Sequence, residues 1–176
     1  EQLLGFMISD SDNTATNMLT NLFGLDSLNA SFAKFGLTDT RLNRRIADYE
    51  MRDKGYENYT TAAEMALLFE QIYTGHFVSA DYSSKGMEIL KISHTNDRIP
   101  KLLPEGTVVA HKTGLENGIC HDAGIIFAPD GDLLLVVLTK HGNTNSIPSK
   151  EFIAKIAREA YGYFELSSRI LQSKLN

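Results

Sequence analysis

The feature that most constrains the fold is a change of hydrophobic periodicity after Pro104-Glu105-Gly106. Before this point apolar residues recur at helical spacing, whereas after it three short stretches have strand character and a last stretch is helical again. Helices, then three strands, then a helix predict an α+β fold in which helices pack on an antiparallel sheet. We predict two parts of one domain, a helical lobe over 1–100 and a region of three strands plus a C-terminal helix over 101–176.

Caps and glycines set the predicted limits of the helices in the first part. Asn13 is expected to cap a helix over Thr14 to Phe23, since its side chain can accept a bond from a free N–H group. The next helices are predicted to begin near Leu25 and to end at Gly36, to run from a cap at Thr60 or Thr61 to Gly75, and to cover about 80–93. Residues 37–59 are polar and aperiodic, which predicts a long ordered loop, and loops of that length are usually functional or disordered.

The second part is predicted to contain an antiparallel hairpin. Its strands are expected at Thr107 to Lys112, Asp122 to Phe127 and Leu133 to Thr139. The tight-turn sequence Pro129-Asp130-Gly131-Asp132 joins the last two strands. An amphipathic helix from Ser149 to about Leu171 is expected to pack its apolar side on the sheet.

Composition excludes several classes of function. The net charge of −5 argues against nucleic-acid binding, because phosphate recognition needs clustered Lys and Arg side chains. No apolar run approaches the roughly 20 residues that span a bilayer. Cys120 is the single cysteine, and with His121 it lacks a partner pair at ligand spacing, so we predict no metal and no cofactor.

Two tripeptides carry the chemistry. Ser11-Asp12-Asn13 stands just before a predicted helix, and Lys112-Thr113-Gly114 stands at the end of a predicted strand. A Ser11 hydroxyl beside a Lys112 ammonium can relay a proton to a departing amide nitrogen, which acyl transfer to a serine requires. Either tripeptide alone is also explained as a helix cap or a strand end, whereas their order, context and spacing together favour a catalytic site.

Substrate binding follows from the residues beside the proton relay. Asn13 can hydrogen-bond a substrate amide, while Lys112 and Thr113 can bind a carboxylate. Gly114 has no side chain, so substrate can lie against the strand edge. The next backbone N–H, that of Leu115, is expected to point at the forming oxyanion.

With these motifs the chain resembles class A β-lactamases and penicillin-binding proteins, which share Ser-Asp-Asn and Lys-Thr-Gly. The resemblance extends through most of the chain, at Arg41-Leu42-Asn43-Arg44, Gly55, Thr60-Thr61-Ala62-Ala63-Glu64-Met65-Ala66, Ile99-Pro100-Lys101-Leu102-Leu103-Pro104-Glu105-Gly106 and His121-Asp122-Ala123-Gly124. It implies an exported acyl-serine hydrolase that opens β-lactam rings. Two alternatives stay open: a D-alanyl-D-alanine carboxypeptidase-type peptidoglycan enzyme, and a non-catalytic binding or regulatory domain of the same fold.

The first departure from the family concerns the nucleophile. In the family, Ser-x-x-Lys lies about sixty residues before Ser-Asp-Asn, and only ten residues precede Ser11 here. The one such tetrapeptide, Ser31 to Lys34, follows Ser11 on a predicted amphipathic helix and is interpreted as a chance match. We therefore expect a nucleophile from a region outside this chain, an inactive isolated chain, and a missing N-terminal segment that completes the sheet along the strand at 133–139.

The second departure lies in the loop at 37–59, which matches the family's Ω-loop. The position of the glutamate that activates the deacylating water holds Ile46, and isoleucine cannot act as a base. One hypothesis is that Glu50 has become the base, and the alternative is that Glu50 and Asp48 are solvated charges. Arg44 is retained, but Tyr59 replaces the acidic partner that usually ties the loop, so other contacts or a looser loop are expected.

Overall fold

A computed structural model describes residues 1–142 and 144–175, with side chains omitted at 169 and 172–175. The chain has the predicted α+β composition, with seven α-helices, a short 3₁₀ helix and a three-stranded antiparallel sheet among the described residues. It divides into two compact units, Glu1–Ile92 and Ser93–Asn176. No helix in the described part of the chain is long and apolar enough to cross a bilayer.

Six of the helices belong to the first unit. They are α1 Gln2–Ser9, α2 Asn13–Phe23, α3 Leu25–Lys34, α4 Tyr49–Asp53, α5 Ala62–Tyr73 and α6 Ala80–Lys91. The predicted cap of α2 is corrected, because Asp12 and not Asn13 accepts the bond from the Ala15 N–H, at 2.6 Å. The cap of α5 is confirmed as Thr61, whose hydroxyl accepts from the Glu64 N–H at 3.2 Å.

The second unit holds the 3₁₀ helix Ile99–Leu102, strands β1 Val108–Glu116, β2 Ile119–Ala128 and β3 Gly131–Lys140, and helix α7 Ile147–Leu175. The strands pair antiparallel in the order β1-β2-β3. All three are longer than predicted because both turns are only two residues long, Asn117-Gly118 and Pro129-Asp130. Asn-Gly is a strong signal for such a turn, so the sequence contained the evidence for the first hairpin.

One apolar cluster organises the second unit. The sheet contributes Val109, Cys120, Ile126 and Val137, and α7 contributes Ile153, Ala157 and Tyr161, with Ile99 of the 3₁₀ helix completing the cluster. The α7 residues recur at a spacing of four, so one face of the helix meets the sheet. This packing fixes the position of β1, which carries Lys112, Thr113 and Gly114.

Candidate active site

The turn that carries Ser11 has a strained backbone. Ser11 has a backbone φ of 55°, in the left-handed region that residues other than Gly, Asn and Asp seldom adopt. The turn is held on one side by the Asp12 N–H, which donates to the Phe6 carbonyl of α1 at 3.2 Å, and on the other by the Asp12 cap of α2. Such strain persists only where the surroundings impose it, and it concentrates at functional sites. Ser11 and Asn13 are both exposed, on either side of the capping residue.

Lys112 occupies a half-buried position within β1. Its Nζ donates to the Thr113 carbonyl oxygen at 2.8 Å. Burial lowers the pKa of Lys112 to about 8, while the Asp122 carboxylate raises it and the Arg98 guanidinium adds to the lowering. A lysine in this range can both hold and release a proton near neutral pH.

The rest of the motif continues along β1. Thr113 is buried, whereas the Leu115 side chain is 53% exposed. Gly114 faces His121 of β2, and a Cβ at this position would lie 3.4 Å from the His121 Cβ, an ordinary contact distance. Packing against β2 therefore does not require glycine at position 114.

A glycine that the sequence interpretation did not single out is under much tighter constraint. A Cβ at Gly124 would lie 2.4 Å from the His111 Cβ and 2.5 Å from the Ala110 carbonyl oxygen. Two of the three closest atoms belong to the backbone and cannot rotate away. Gly124 thus allows β1 and β2 to approach each other beside Lys112.

Glu50 lies in the first turn of α4. Its carboxylate accepts from the Lys54 Nζ at 2.6 Å, and its side chain is 80% exposed. Asp48 caps the same helix by accepting from the Met51 N–H at 3.1 Å. The observed partner of Glu50 is thus a lysine one helical turn away in solvent, and Asp48 has a structural role.

Three asparagine side chains that the sequence interpretation missed hold the loop at alternate residues. Each uses its amide oxygen to accept from a backbone N–H and its amide nitrogen to donate to the carbonyl of the same residue. The pairs are Asn29 with Leu42, Asn58 with Arg44, and Asn17 with Ile46, at 2.9–3.1 Å. The amides replace the neighbouring strand that a segment of this kind would otherwise need. No periodicity in the sequence predicts these pairs, because the three asparagines come from three separate segments.

A buried arginine also forms a salt bridge within the loop, but with a different acidic residue from the one expected. Arg44, whose side chain is 2% exposed, donates to the Glu57 carboxylate from Nη2 at 2.8 Å and from Nε at 3.2 Å. Arg52 approaches the other Glu57 oxygen at 3.1 Å. Bonds from Arg44 lower the pKa of Glu57, against the effect of burial. Tyr59 instead pairs its backbone with that of Arg41. The acidic partner of Arg44 is therefore Glu57, two residues before Tyr59.

The predicted site residues fall in both units. Ser11, Asn13 and Glu50 belong to Glu1–Ile92, and Lys112, Thr113, Gly114 and Leu115 belong to Ser93–Asn176. Ser31 and Lys34 lie on α3, where the Ser31 hydroxyl donates to the Ser27 carbonyl and Lys34 is exposed. In the described part of the chain, no group of three or more His, Cys, Asp or Glu side chains could hold a metal ion.

Ser-Asp-Asn before one helix and Lys-Thr-Gly on a strand are the motifs that class A β-lactamases and penicillin-binding proteins share. Residues 1–164 match the family model described as the Beta-lactamase enzyme family, and the chain belongs to that family. It is 34% identical to the extended-spectrum beta-lactamase PER-1 of Pseudomonas aeruginosa, over 94% of this chain and 57% of that protein.

Solved structures give the same result. The beta-lactamase from Sphaerobacter thermophilus DSM 20745 superimposes with a TM-score of 0.84 at 31% identity, covering 94% of this chain and 63% of that one. PBP-A superimposes with a TM-score of 0.83 at 30% identity, covering 93% and 60%. A mutant of PBP-A has been solved as an acyl-enzyme complex with penicillin G. The chain thus spans less than two thirds of the length of each of these relatives.

Proposed function

We propose that the protein is an acyl-serine hydrolase of β-lactams in which Lys112 and Ser11 form the proton relay. The observation that carries this proposal is the half-buried Lys112 of a Lys-Thr-Gly strand, with its pKa lowered to about 8. Near neutral pH such a group can support the Ser11 hydroxyl as it passes a proton to the leaving nitrogen. Both motifs are shared by the family to which the chain belongs, which supports assigning Ser11 and Lys112 to the same reaction.

In the same proposal the remaining motif residues bind substrate. Asn13 donates to the side-chain amide of the β-lactam, and Lys112 with Thr113 binds its carboxylate. The backbone N–H of Leu115 stabilises the oxyanion, and Gly114 leaves the strand edge open. The attacking serine comes from a Ser-x-x-Lys segment outside the printed sequence, which also adds a strand beside β3. Export, as in β-lactamases generally, is part of the proposal.

A second candidate function is a D-alanyl-D-alanine carboxypeptidase-type peptidoglycan enzyme. Ile46 favours it, because Asn17 holds the backbone of an apolar residue at the position where β-lactamases keep their deacylating base. The exposed Glu50–Lys54 pair adds support, since a carboxylate bonded to lysine in solvent is poorly prepared to activate a water molecule. Without a base, a β-lactam would acylate the enzyme and be released slowly.

Nitrocefin turnover by the full-length protein, compared with D-alanine release from a D-Ala-D-Ala peptide, separates the two enzymes. Rapid nitrocefin turnover supports the β-lactamase. Peptide cleavage with a long-lived penicilloyl adduct, seen by mass spectrometry, supports the carboxypeptidase. Absence of both the adduct and any turnover contradicts both and leaves a non-catalytic binding or regulatory domain.

The role of Glu50 has its own test. If Glu50 is the deacylating base, Glu50→Gln slows deacylation by about 10²-fold or more and traps an acyl-enzyme that mass spectrometry detects. Asp53→Asn on the same helix is the matched control and leaves turnover unchanged. Wild-type turnover in Glu50→Gln would instead assign Glu50 to the exposed face of α4.

A further inference from the structure

His121 of β2 lies directly opposite Gly114 of the Lys-Thr-Gly strand. A Cβ built at Gly114 would lie 3.4 Å from the His121 Cβ and 3.6 Å from the ring atom Cδ2. The imidazole therefore lies beside Gly114, with its Cδ2 edge towards β1. Nε2 is bonded to Cδ2 and so belongs to this edge of the ring. Because Gly114 has no side chain, nothing at that position stands between the ring and the edge of β1 that faces away from β2.

The hydrogen bonds of His121 determine which ring nitrogen carries the proton. Nδ1 accepts from the Thr139 N–H of β3 at 3.0 Å, and the Thr139 hydroxyl donates to the Cys120 carbonyl oxygen. A ring nitrogen that accepts a hydrogen bond has no proton of its own, so the neutral ring carries its proton on Nε2. Nε2 has no partner among the described residues and is not sealed from solvent. Strands β2 and β3 thus present a fixed N–H donor beside Gly114.

This ring is uncharged near neutral pH. Burial lowers the pKa of His121, the Cys120 carbonyl raises it, and the Arg98 guanidinium lowers it further, with a net lowering. Protonation of Nδ1 would also break its bond with Thr139, because two N–H donors would then face each other. The group that His121 offers to a ligand is therefore a neutral N–H donor and not a second cation.

The strand register places this donor on the same face of the sheet as Lys112. Residues directly opposite each other share a face, and every second residue of a strand returns to it, so Lys112, Gly114 and His121 lie together. Lys112 is a diagonal neighbour of His121, a separation that long side chains can bridge. His111 and Asp122, whose Nδ1 and Oδ1 atoms are 2.9 Å apart, lie on the other face and are 1% and 0% exposed. One cationic donor and one neutral donor thus lie beside Gly114 on a single face.

We propose that His121 is a further substrate-binding residue, which donates a hydrogen bond from Nε2 to the carboxylate of a β-lactam that lies over Gly114. This inference rests on the proposed function, in which Lys112 binds that carboxylate and the Leu115 N–H binds the lactam oxygen. The carboxylate is then the acceptor that lies on the face shared by Lys112 and His121. A hydrogen bond to an ionised acceptor is stronger than one between neutral groups. His121 therefore contributes to the binding of substrate and not to proton transfer.

A pair of substitutions separates this role from a structural one. His121→Gln keeps an amide N–H near the position of Nε2 but loses the acceptor for Thr139, whereas His121→Asn keeps that acceptor and has no donor at the Nε2 position. In the full-length protein His121→Asn is expected to raise the benzylpenicillin concentration for half-maximal acylation about tenfold, with a limiting rate within about threefold of the wild type. His121→Gln should stay within about threefold of the wild type in both quantities. The opposite order of the two variants overturns the proposal.

The methyl ester of benzylpenicillin tests which group accepts the bond. Because the ester has no ionised carboxylate, the difference between the wild type and His121→Asn should fall from about tenfold to about twofold. An equal difference for the acid and the ester overturns the assignment to the carboxylate. His76→Asn, at an exposed histidine that follows α5, is the matched control and should leave acylation of both compounds unchanged.

The position of the proton is measured without substrate or substitution. Nitrogen NMR spectra of the wild-type imidazole should show the proton on Nε2, and a proton on Nδ1 overturns the proposal. If His121→Asn does not fold, His121→Ala removes the same donor, and wild-type acylation in that variant overturns the proposal too. Acylation that no His121 substitution changes rejects this inference and retains the proposed function. Absence of acylation in the wild-type protein rejects both.

Discussion

The loop at 37–59 and the hairpin of β1 and β2 are stabilised in contrasting ways. The hairpin is held by a continuous ladder of backbone pairs, from Val108 with Phe127 to Glu116 with Ile119. The loop has a single isolated backbone bridge, Arg41 with Tyr59, and is otherwise fastened by side chains. A ladder tolerates most side chains but no obstruction between the strands, whereas the loop depends on a few specific polar groups.

The contrast has a functional counterpart. The hairpin carries Lys112-Thr113-Gly114, which the family resemblance predicts to serve acylation, together with the buried His111–Asp122 pair. The loop, which the family resemblance predicts to serve deacylation, carries Ile46 at the predicted position of the base, and its Arg44 pairs with Glu57. A loop held by side chains can change individual contacts without a change in its backbone conformation. We therefore expect differences in acyl-enzyme lifetime among family members to arise from this loop.

The largest effect is expected at Gly124 in the hairpin. Gly124→Ala places a methyl group 2.4 Å from the His111 Cβ and 2.5 Å from the Ala110 carbonyl oxygen, so the strands must separate. We expect a loss of about 3 kcal/mol in the free energy of unfolding, measured by urea denaturation. Gly114→Ala, whose methyl group would meet His121 at 3.4 Å, is the control and should change stability by less than about 0.5 kcal/mol. Similar losses in both variants would contradict the importance of close strand approach.

The next largest effect is expected in the loop, at its arginine tie. Arg44→Ala leaves the Glu57 carboxylate without its main partner, and breaking a buried pair costs about 3 kcal/mol or more. Because Glu57 is 34% exposed, we expect the lower value of about 2 kcal/mol. Lys54→Ala breaks the exposed pair with Glu50 and should cost about 0.5 kcal/mol or less. Equal costs in thermal denaturation would mean that the Arg44 pair does not hold the loop.

The same contrast explains what the sequence could predict. The number and order of the strands and the α5 cap follow from periodicity and local propensity, and these predictions are confirmed. The bounds are less accurate, because every strand is longer than predicted and α3 and α5 end two residues before the predicted glycines. The asparagine clamps and the Arg44–Glu57 pair join residues 13 to 29 positions apart through tertiary structure, and no local pattern encodes such choices. The α2 cap was wrong by one residue because Asp12 and Asn13 are both good caps. The roles of the site residues stay predictions.

A smaller effect is expected at Asn29, whose side-chain amide bonds to the backbone of Leu42. Asn29→Ala removes both bonds to the Leu42 backbone, and at about 1 kcal/mol each we expect a cost of about 1–2 kcal/mol. Hydrogen exchange should accelerate at the Leu42 amide and remain unchanged in β1 and β2. Ser31→Ala on the same helix, which removes an exposed bond to Ser27, is the control. Protection that persists at Leu42 would show that the amide does not fasten the loop.

The smallest effect on stability is expected from a fall in pH. It should weaken the loop at 37–59 before it weakens the hairpin of β1 and β2. Arg44 lowers the pKa of Glu57. Burial would raise the pKa of Glu64, but bonds from the Asp39 N–H and the Thr40 hydroxyl outweigh it and lower this pKa too. Both carboxylates fasten the loop, and both pKa values are lower folded than unfolded. Their contribution to stability is therefore complete above the pKa values of the unfolded chain and is lost as the pH falls through the lower pKa values of the folded state.

Hydrogen exchange, corrected for its intrinsic pH dependence, measures how the stability of the loop and that of the hairpin each depend on pH. Between pH 6 and pH 3 the amides of Asp39 and Arg44 should lose protection before those of β1 and β2 do. In Glu64→Gln the pH dependence at Asp39 should flatten, because the neutral amide no longer titrates, while the dependence at Arg44 persists through Glu57. Parallel loss of protection in the loop and the hairpin would mean that the two regions open together. Side-chain fastening would then give the loop no independent stability, and acid would act on the whole chain at once.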